Sequence, residues 1–256
     1  MLLLVEDNAI NARVSQLFLD KSGFRADHVT NGAEAVEKFR RGHYPGVLMD
    51  CHMPVMDGYE ASRAIRAMEA SPGWDRPRCR IIAMTANVLS GERQRCLDAG
   101  MDDYVPKPIK QAELAAALSM LFPAGAAEPA SVTEVDESLH AALRQLADEL
   151  GEENVVDLLS EWMADFPNAF ADLTRLAGGP EQPEMRRAAH SLKGSSSLFG
   201  LKDMEDLLNR LEQLAAQDEK PEQEGMVREL DTEWRRVKPL LEAEMAALRL
   251  QAENGV

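Results

Sequence analysis

Long apolar runs are missing from this chain of 256 residues. None approaches the roughly 18–20 residues that span a bilayer, and the apolar opening Met1-Leu2-Leu3-Leu4-Val5 meets acids at once. Neither a signal peptide nor inserted membrane helix is expected, which favours a cytoplasmic setting. Cysteine is scarce. Cys51, Cys79 and Cys96 lack the spacing of a disulfide framework or a metal site, in keeping with reduced thiols. Aromatic residues are 5% of the chain against 45% hydrophobic residues overall, which suits a helix-rich globular protein better than a disordered one. Basic stripes are missing too. Residues 1–122 carry 15 Lys/Arg and 16 Asp/Glu, and the remainder 13 and 28, so nearly all of the net charge of −16 falls in the second part. A surface that acidic repels nucleic acid phosphates, so no nucleic-acid partner is expected, and the charge reads as a solvated helical surface. No Walker-type glycine loop, ATP-binding kinase domain, helix-turn-helix or internal repeat is recognisable, which argues against ATP turnover and promoter binding.

What is present divides into two periodicities. In the first part, Leu2–Val5, Gly46–Met49 and Ile81–Met84 read as strands buried on both faces, with Arg25–Val29 and Asp103–Val105 as weaker strands. Between them, Ile10–Lys21, Gly32–Arg41, Tyr59–Met68, Ser90–Ala99 and Gln111–Leu121 read as helices. This alternation predicts an α/β fold, a doubly wound five-stranded parallel sheet with helices on both faces. Small residues and two prolines over 123–134 read as a linker. Beyond it the period is helical. Val155, Leu158, Leu159, Trp162, Phe166, Phe170 and Leu173 form one stripe. Leu201, Met204, Leu208, Leu211 and Leu214 form a second, and Met226, Leu230, Trp234, Val237, Leu241, Met245 and Leu248 a third. Such stripes joined by short polar turns predict an all-α antiparallel bundle, with the stripes as its core.

In an open parallel sheet, ligands gather beyond the carboxyl ends of the strands where strand order reverses. Glu6 and Asp7 follow the first strand, Asp50 the third and Lys107 the fifth, while Thr85 ends the fourth. Three converging carboxylates raise one another's pKa. A hard cation such as Mg²⁺ relieves that repulsion. With it, Asp50 can attack phosphorus and become an acyl phosphate. The Lys107 ammonium and Thr85 hydroxyl suit the transferring oxygens.

A second constellation lies in Pro183–Phe199, which reads as helix. Lys193 and Gly194 share the face of His190. An interior glycine costs about 1 kcal/mol relative to alanine, and Ser195, Ser196 and Ser197 are mediocre helix formers. A patch that small-sided beside a histidine makes sense if something must approach closely. Gly194 would clear room for a phosphoryl group, Lys193 would offer it positive charge, and an imidazole is a competent nucleophile near neutral pH. His28, His43, His52 and His140 form no ligand-spaced cluster and read as surface residues.

The segments Leu3-Leu4-Val5-Glu6-Asp7-Asn8, Leu48-Met49-Asp50-Cys51-His52-Met53-Pro54-Val55-Met56-Asp57-Gly58, Ile82-Ala83-Met84-Thr85-Ala86 and Asp102-Asp103-Tyr104-Val105-Pro106-Lys107-Pro108 resemble the receiver domain of two-component response regulators. The flavodoxin-like resemblance covers residues 1–122 and is nearest to receivers at the C-terminal side of hybrid sensor histidine kinases, although the usual Lys or Arg lead-in before the first strand is absent. The string Ala189-His190-Ser191-Leu192-Lys193-Gly194-Ser195-Ser196 resembles the histidine-containing phosphotransfer (HPt) domain, over residues 135–250, leaving 251–256 as a tail. The first resemblance implies Asp50 as phosphoacceptor, with Glu6, Asp7, Asp50 and the His52 backbone carbonyl around Mg²⁺. It also implies Thr85 and Tyr104 as a coupled switch pair, and a cis Lys107-Pro108 peptide. The second implies His190 as phosphoacceptor supported by Lys193 and Gly194.

Together these imply a phosphorelay protein, complete or a piece of a hybrid kinase. A sensor histidine kinase or small phosphodonor loads Asp50, and His190 delivers to a downstream response-regulator receiver. Two alternatives stand beside it: a regulatory binding module, or a phosphate sink, in which the two domains serve different partners without internal transfer. A homodimer through the receiver is compatible with either. A haloacid-dehalogenase-type hydrolase is set aside, because it wants an acid two residues after the nucleophile, where His52 stands. A linker of this length reaches about 20 Å as a flexible coil and about 40 Å extended, so transfer within one chain and between chains are both open.

Overall fold

Short apolar segments followed by capped helices dictate the first architecture. The computed structural model describes residues 1–86, 90–121 and 139–254, and the chain divides into two compact units at residue 132. In the first unit the strands are β1 (Leu2–Val5), β2 (Ala26–Val29), β3 (Gly46–Asp50), β4 (Arg80–Thr85) and β5 (Asp103–Pro106). They alternate with helices α1 (Ala9–Lys21), α2 (Gly32–Arg41), α3 (Gly58–Glu69), α4 (Ser90–Asp98) and α5 (Gln111–Leu121). The sheet is parallel throughout, in the order β2-β1-β3-β4-β5, as the alternation predicts. β1 and β3 are buried along their whole length and β4 all but its first residue, whereas the edge strands β2 and β5 are half-buried.

Local chemistry fixes where the helices begin. Asn8 accepts a hydrogen bond from the Asn11 amide at 3.0 Å and caps α1. Asn31 does the same for α2 with Glu34. Asp57 and Glu60 form a reciprocal capping box at α3. These caps stop the strand-end loops short, so that groups following β1 and β3 stay at the sheet edge. The order reverses at β1, which has β2 on one side and β3 on the other, and register pairs Val5 with Met49. The next residues along, Glu6 and Asp50, therefore stand side by side at the switch point.

The second unit is helical: α6 (Leu139–Leu150), α7 (Glu152–Leu176), α8 (Gln182–Leu198), α9 (Lys202–Ala216) and α10 (Lys220–Asn254). Connections of a few residues and packing of α7 on α8, α8 on α9, α9 on α10 and α10 on α7 give a four-helix bundle, with α6 laid on α7. The predicted stripes are buried except Phe170, Leu214, Met226, Trp234 and Met245, which are half-buried. Trp162 sits at the centre of the aromatic core. Its indole N–H donates to Ser195 Oγ at 3.0 Å, its ring centroid lies 5.3 Å from that of Phe199 and 5.5 Å from Phe166, and Phe166 stacks on Trp234 at 3.9 Å.

One expectation changes. Residues 251–254 continue α10 instead of forming a tail, because Leu248 is buried and Arg144 of α6 donates to Gln251 Oε1 at 2.7 Å, tying down the last turns. α6 falls outside the three stripes, yet it buries Leu143, Leu146, Ala147 and Leu150. The linker expected over 123–134 lies outside the described residues.

Candidate functional sites

At the carboxyl ends of β1, β3 and β5, the chain gathers charge that no local segment holds. Glu6 and Asp50 are buried, and the Lys107 ammonium lies 2.6 Å from Glu6 Oε2 and 2.7 Å from Asp50 Oδ2. Asp7, half-buried, completes a group in which Glu6, Asp7 and Asp50 each bring one carboxylate oxygen within 4.8 Å of the others. Burial drives the Glu6 carboxyl up to about 8, with Asp50 and Asp7 adding to the rise and Lys107 opposing it. Burial alone would depress the Lys107 ammonium, but Asp50 and Glu6 outweigh it and hold its pKa above the ordinary value. Three carboxylates face one lysine, so the fully ionised cluster carries more negative than positive charge. An oxygen donor set of that charge fits a hard divalent cation.

The surrounding backbone serves the same pocket. The His52 amide donates to Asp50 Oδ1 at 3.2 Å, so the chain two residues on wraps against the carboxylate. Gly58 presses on the same strand end: a Cβ there would stand 2.0 Å from the Asp50 carbonyl oxygen. Thr85 is buried at the end of β4, and its carbonyl accepts from the Lys107 amide at 2.7 Å, joining the β4 and β5 ends. The Lys107-Pro108 peptide is cis. Tyr104 is half-buried on β5, paired in register with Ala83.

The histidine lies on the surface of α8. His190 and Lys193 retain 13% side-chain exposure each, and both converge on Glu212 of α9. His190 Nδ1 is 3.2 Å from Glu212 Oε1, and Lys193 Nζ is 2.6 Å from Oε2. Burial alone would raise the Glu212 carboxyl, but His190 and Lys193 reverse this and hold it down at about 2. Gly194 is half-buried on the next turn. Ser195 and Ser196 are not part of this face. Both are buried, with Ser195 accepting from Trp162 and Ser196 Oγ donating to the Leu192 carbonyl at 2.8 Å.

Sequence reasoning missed Glu212, which is 22 residues from His190 on another helix and carries no local signal. It also set His28 on the surface. That side chain is half-buried, with Nε2 2.8 Å from the Glu6 carbonyl oxygen, because the parallel pairing of β2 on β1 draws it in. At the far end of the sheet, the side chain of Asp102, only 7% exposed, takes Arg66 at 2.7 Å and the Ile81 amide at 2.8 Å, bracing α3 against β4.

A switch-point pocket of acids and a lysine, followed by a helical bundle presenting a histidine, defines the two-component phosphorelay class. The family model for the response regulator receiver domain matches residues 2–119, and that for the Hpt domain matches residues 157–251. The chain belongs to this class as a receiver domain followed by an Hpt domain. Virulence sensor protein BvgS of Bordetella bronchiseptica is 32% identical over 251 residues, covering 89% of this chain and 19% of that protein. Hybrid signal transduction histidine kinase B of Dictyostelium discoideum is 43% identical over 119 residues, covering 44% of this chain and 6% of that protein. The chain thus spans less than a fifth of the length of these curated relatives. Among solved structures, the receiver domain of a Pseudomonas aeruginosa sensor histidine kinase, with a magnesium ion coordinated in its active-site cleft, is 45% identical, with a TM-score of 0.43 over 48% of this chain and 97% of that one. Among the described residues, no helix is long and apolar enough to cross a membrane.

Proposed function

We propose that this chain holds two stations of one phosphorelay: Asp50 accepts a phosphoryl group from a sensor histidine kinase or small acyl phosphate, and His190 carries it to a separate response-regulator receiver. The observation that carries the reading is the Lys107 ammonium held between Asp50 and Glu6 with Asp7 beside them. An Asp50 Oδ attacks the donor phosphorus, the bond from phosphorus to the donor nitrogen or oxygen breaks, and a mixed anhydride forms. Mg²⁺, held by Glu6, Asp7, Asp50 and the His52 carbonyl, would neutralise charge on the phosphoryl oxygens. Lys107 follows the developing charge from its position between the acids, and the Thr85 hydroxyl suits a remaining oxygen. Tyr104 and Thr85 form the pair that reports occupancy.

At the second station Glu212 is a positioning residue. A carboxylate at Nδ1 favours the tautomer protonated there, which leaves the lone pair on Nε2 as nucleophile. Nε2 attacks the aspartyl phosphorus, and the Asp50 carboxylate leaves. Lys193 and Gly194 supply charge and clearance for the incoming group. The test is phosphoryl uptake from acetyl phosphate, followed by intact mass with and without Mg²⁺. Wild type takes up phosphoryl groups only with the cation, and Asp50→Asn takes up none; equal uptake by Asp50→Asn would overturn the assignment.

A further inference from the structure

α4 is lightly seated on the sheet. Among its described side chains Cys96 is the buried one, at 3% exposure, while Leu97 is 41% exposed. A second tie runs to α3, where the Tyr59 hydroxyl donates to Glu92 and the Arg95 guanidinium lies 4.7 Å over the Tyr59 ring. The buried Cys96 does not meet an aliphatic side chain alone. Its Sγ lies 3.9 Å from Sγ of Cys51, a fully buried residue that directly follows Asp50. Both are free thiols. The third cysteine, Cys79, is also buried but precedes β4, at the opposite end of the sheet from Asp50.

Two thiols 3.9 Å apart need to close by about 1.9 Å to reach the ~2.05 Å of a disulfide. Rotation of both side chains and a small shift of a helix anchored so sparsely can supply that movement. We propose that Cys51 and Cys96 are a redox pair whose disulfide pins α4 to the strand end that carries Asp50. With hydrogen peroxide as oxidant, one thiolate attacks a peroxide oxygen and the O–O bond breaks. A sulfenic acid forms, and the departing hydroxide takes up the released proton as water. The second sulfur then displaces water from the sulfenic sulfur and the S–S bond forms. Two thiols and one peroxide become one disulfide and two waters. The functional consequence rests on the reading of Asp50 as phosphoacceptor: closing the Sγ–Sγ gap draws on the residue next to Asp50, and displacing a reacting group by ~1 Å slows its reaction by up to about 10²-fold.

The test uses the full chain, reduced and then exposed to hydrogen peroxide under native conditions, with remaining thiols alkylated before non-reducing digestion. The expected product is a Cys51–Cys96 cross-linked peptide about 2 Da lighter than its two reduced components, with Cys79 still alkylated. Cys79→Ser gives the same cross-link. Oxygen additions on the cysteines without that cross-link, or cross-links that run through Cys79, would overturn the proposal. Acetyl phosphate uptake is then compared between the reduced, oxidised and dithiothreitol-recovered forms. Slowing that reverses on reduction, and that Cys96→Ala lacks, supports the switch; a cross-linked protein with unchanged uptake overturns it. Should Cys96→Ala not fold, reversal in the wild type carries the test. Absence of uptake by the reduced protein would instead overturn the phosphoacceptor reading and leave the cross-link result standing.

Discussion

The aspartate and histidine sites, which we propose carry the same phosphoryl group, are built on opposite electrostatics. Around Asp50, three carboxylates face one lysine, with Glu6 and Asp50 almost wholly buried and Asp7 half-buried. Around His190, one carboxylate serves both the imidazole and Lys193 on a helix face that keeps contact with solvent. At the first site acids outnumber the lysine, and burial, with Asp50 and Asp7 adding to it, lifts Glu6 to about 8. At the second, Glu212 faces His190, Lys193 and, at 3.7 Å, Arg186, and the first two hold its carboxyl down at about 2. A sheet edge can force like charges together because each arrives on a different strand. A helix face spaces its groups by one turn and settles them pairwise. The sheet site therefore suits a divalent cation, whereas the helix site pairs its own charged groups.

Breaking the first site has the largest expected effect. Asp50→Asn abolishes uptake from acetyl phosphate, while the bundle still accepts a phosphoryl group from a separate phosphorylated receiver; intact mass reads both. Lys107→Ala comes next, because it leaves Glu6 and Asp50 buried without their cation. Uptake should fall roughly 10²-fold, the usual cost of one charge-stabilising donor, with the bundle's chemistry unchanged.

Glu212→Gln sharpens the contrast from the other side. Receiver uptake stays normal, and transfer involving His190 slows about tenfold, less than the roughly 10²-fold or more that direct acid–base catalysis supplies, because Glu212 only orients the ring. Nitrogen NMR of His190 separates positioning from simple packing: the variant loses its preference for the tautomer protonated at Nδ1, whereas a purely structural role leaves that signature in place.

The last effect is in stability. Burial raises Glu6 from 4.5 to about 8, so between those values the folded metal-free protein binds more protons than the unfolded chain. Receiver stability therefore falls as pH rises through that window. Mg²⁺ binding, which needs the ionised carboxylate, tightens as pH approaches 8 and recovers the loss. Thermal melts at about pH 6 and pH 8.5, with and without Mg²⁺, should show the crossover, and Glu6→Gln should flatten it.

The sheet site was largely legible in the amino-acid sequence because its groups sit one or two residues past apolar runs. Knowing that strand ends converge was enough to bring Glu6, Asp7, Asp50, Thr85 and Lys107 to one edge. Glu212 was not legible, since the turn between α8 and α9 decides which of several acids on α9 faces His190. The contact of Cys51 with Cys96 was hidden for the same reason, as their thiols meet across 45 residues of chain. Ser195 and Ser196 were readable as small residues, but not as core. Only the packed bundle shows that their hydroxyls satisfy Trp162 and the Leu192 carbonyl instead of facing an incoming group.

The most direct test of the two-station account follows labelled phosphoryl groups in wild type and His190→Gln after loading from acetyl phosphate. The account predicts that label first appears in a base-labile linkage requiring Asp50. It then moves, in wild type alone, to a base-stable, acid-labile linkage on His190. Label that remains on Asp50 in wild type, with His190 never occupied, would contradict the relay and leave two stations serving different partners.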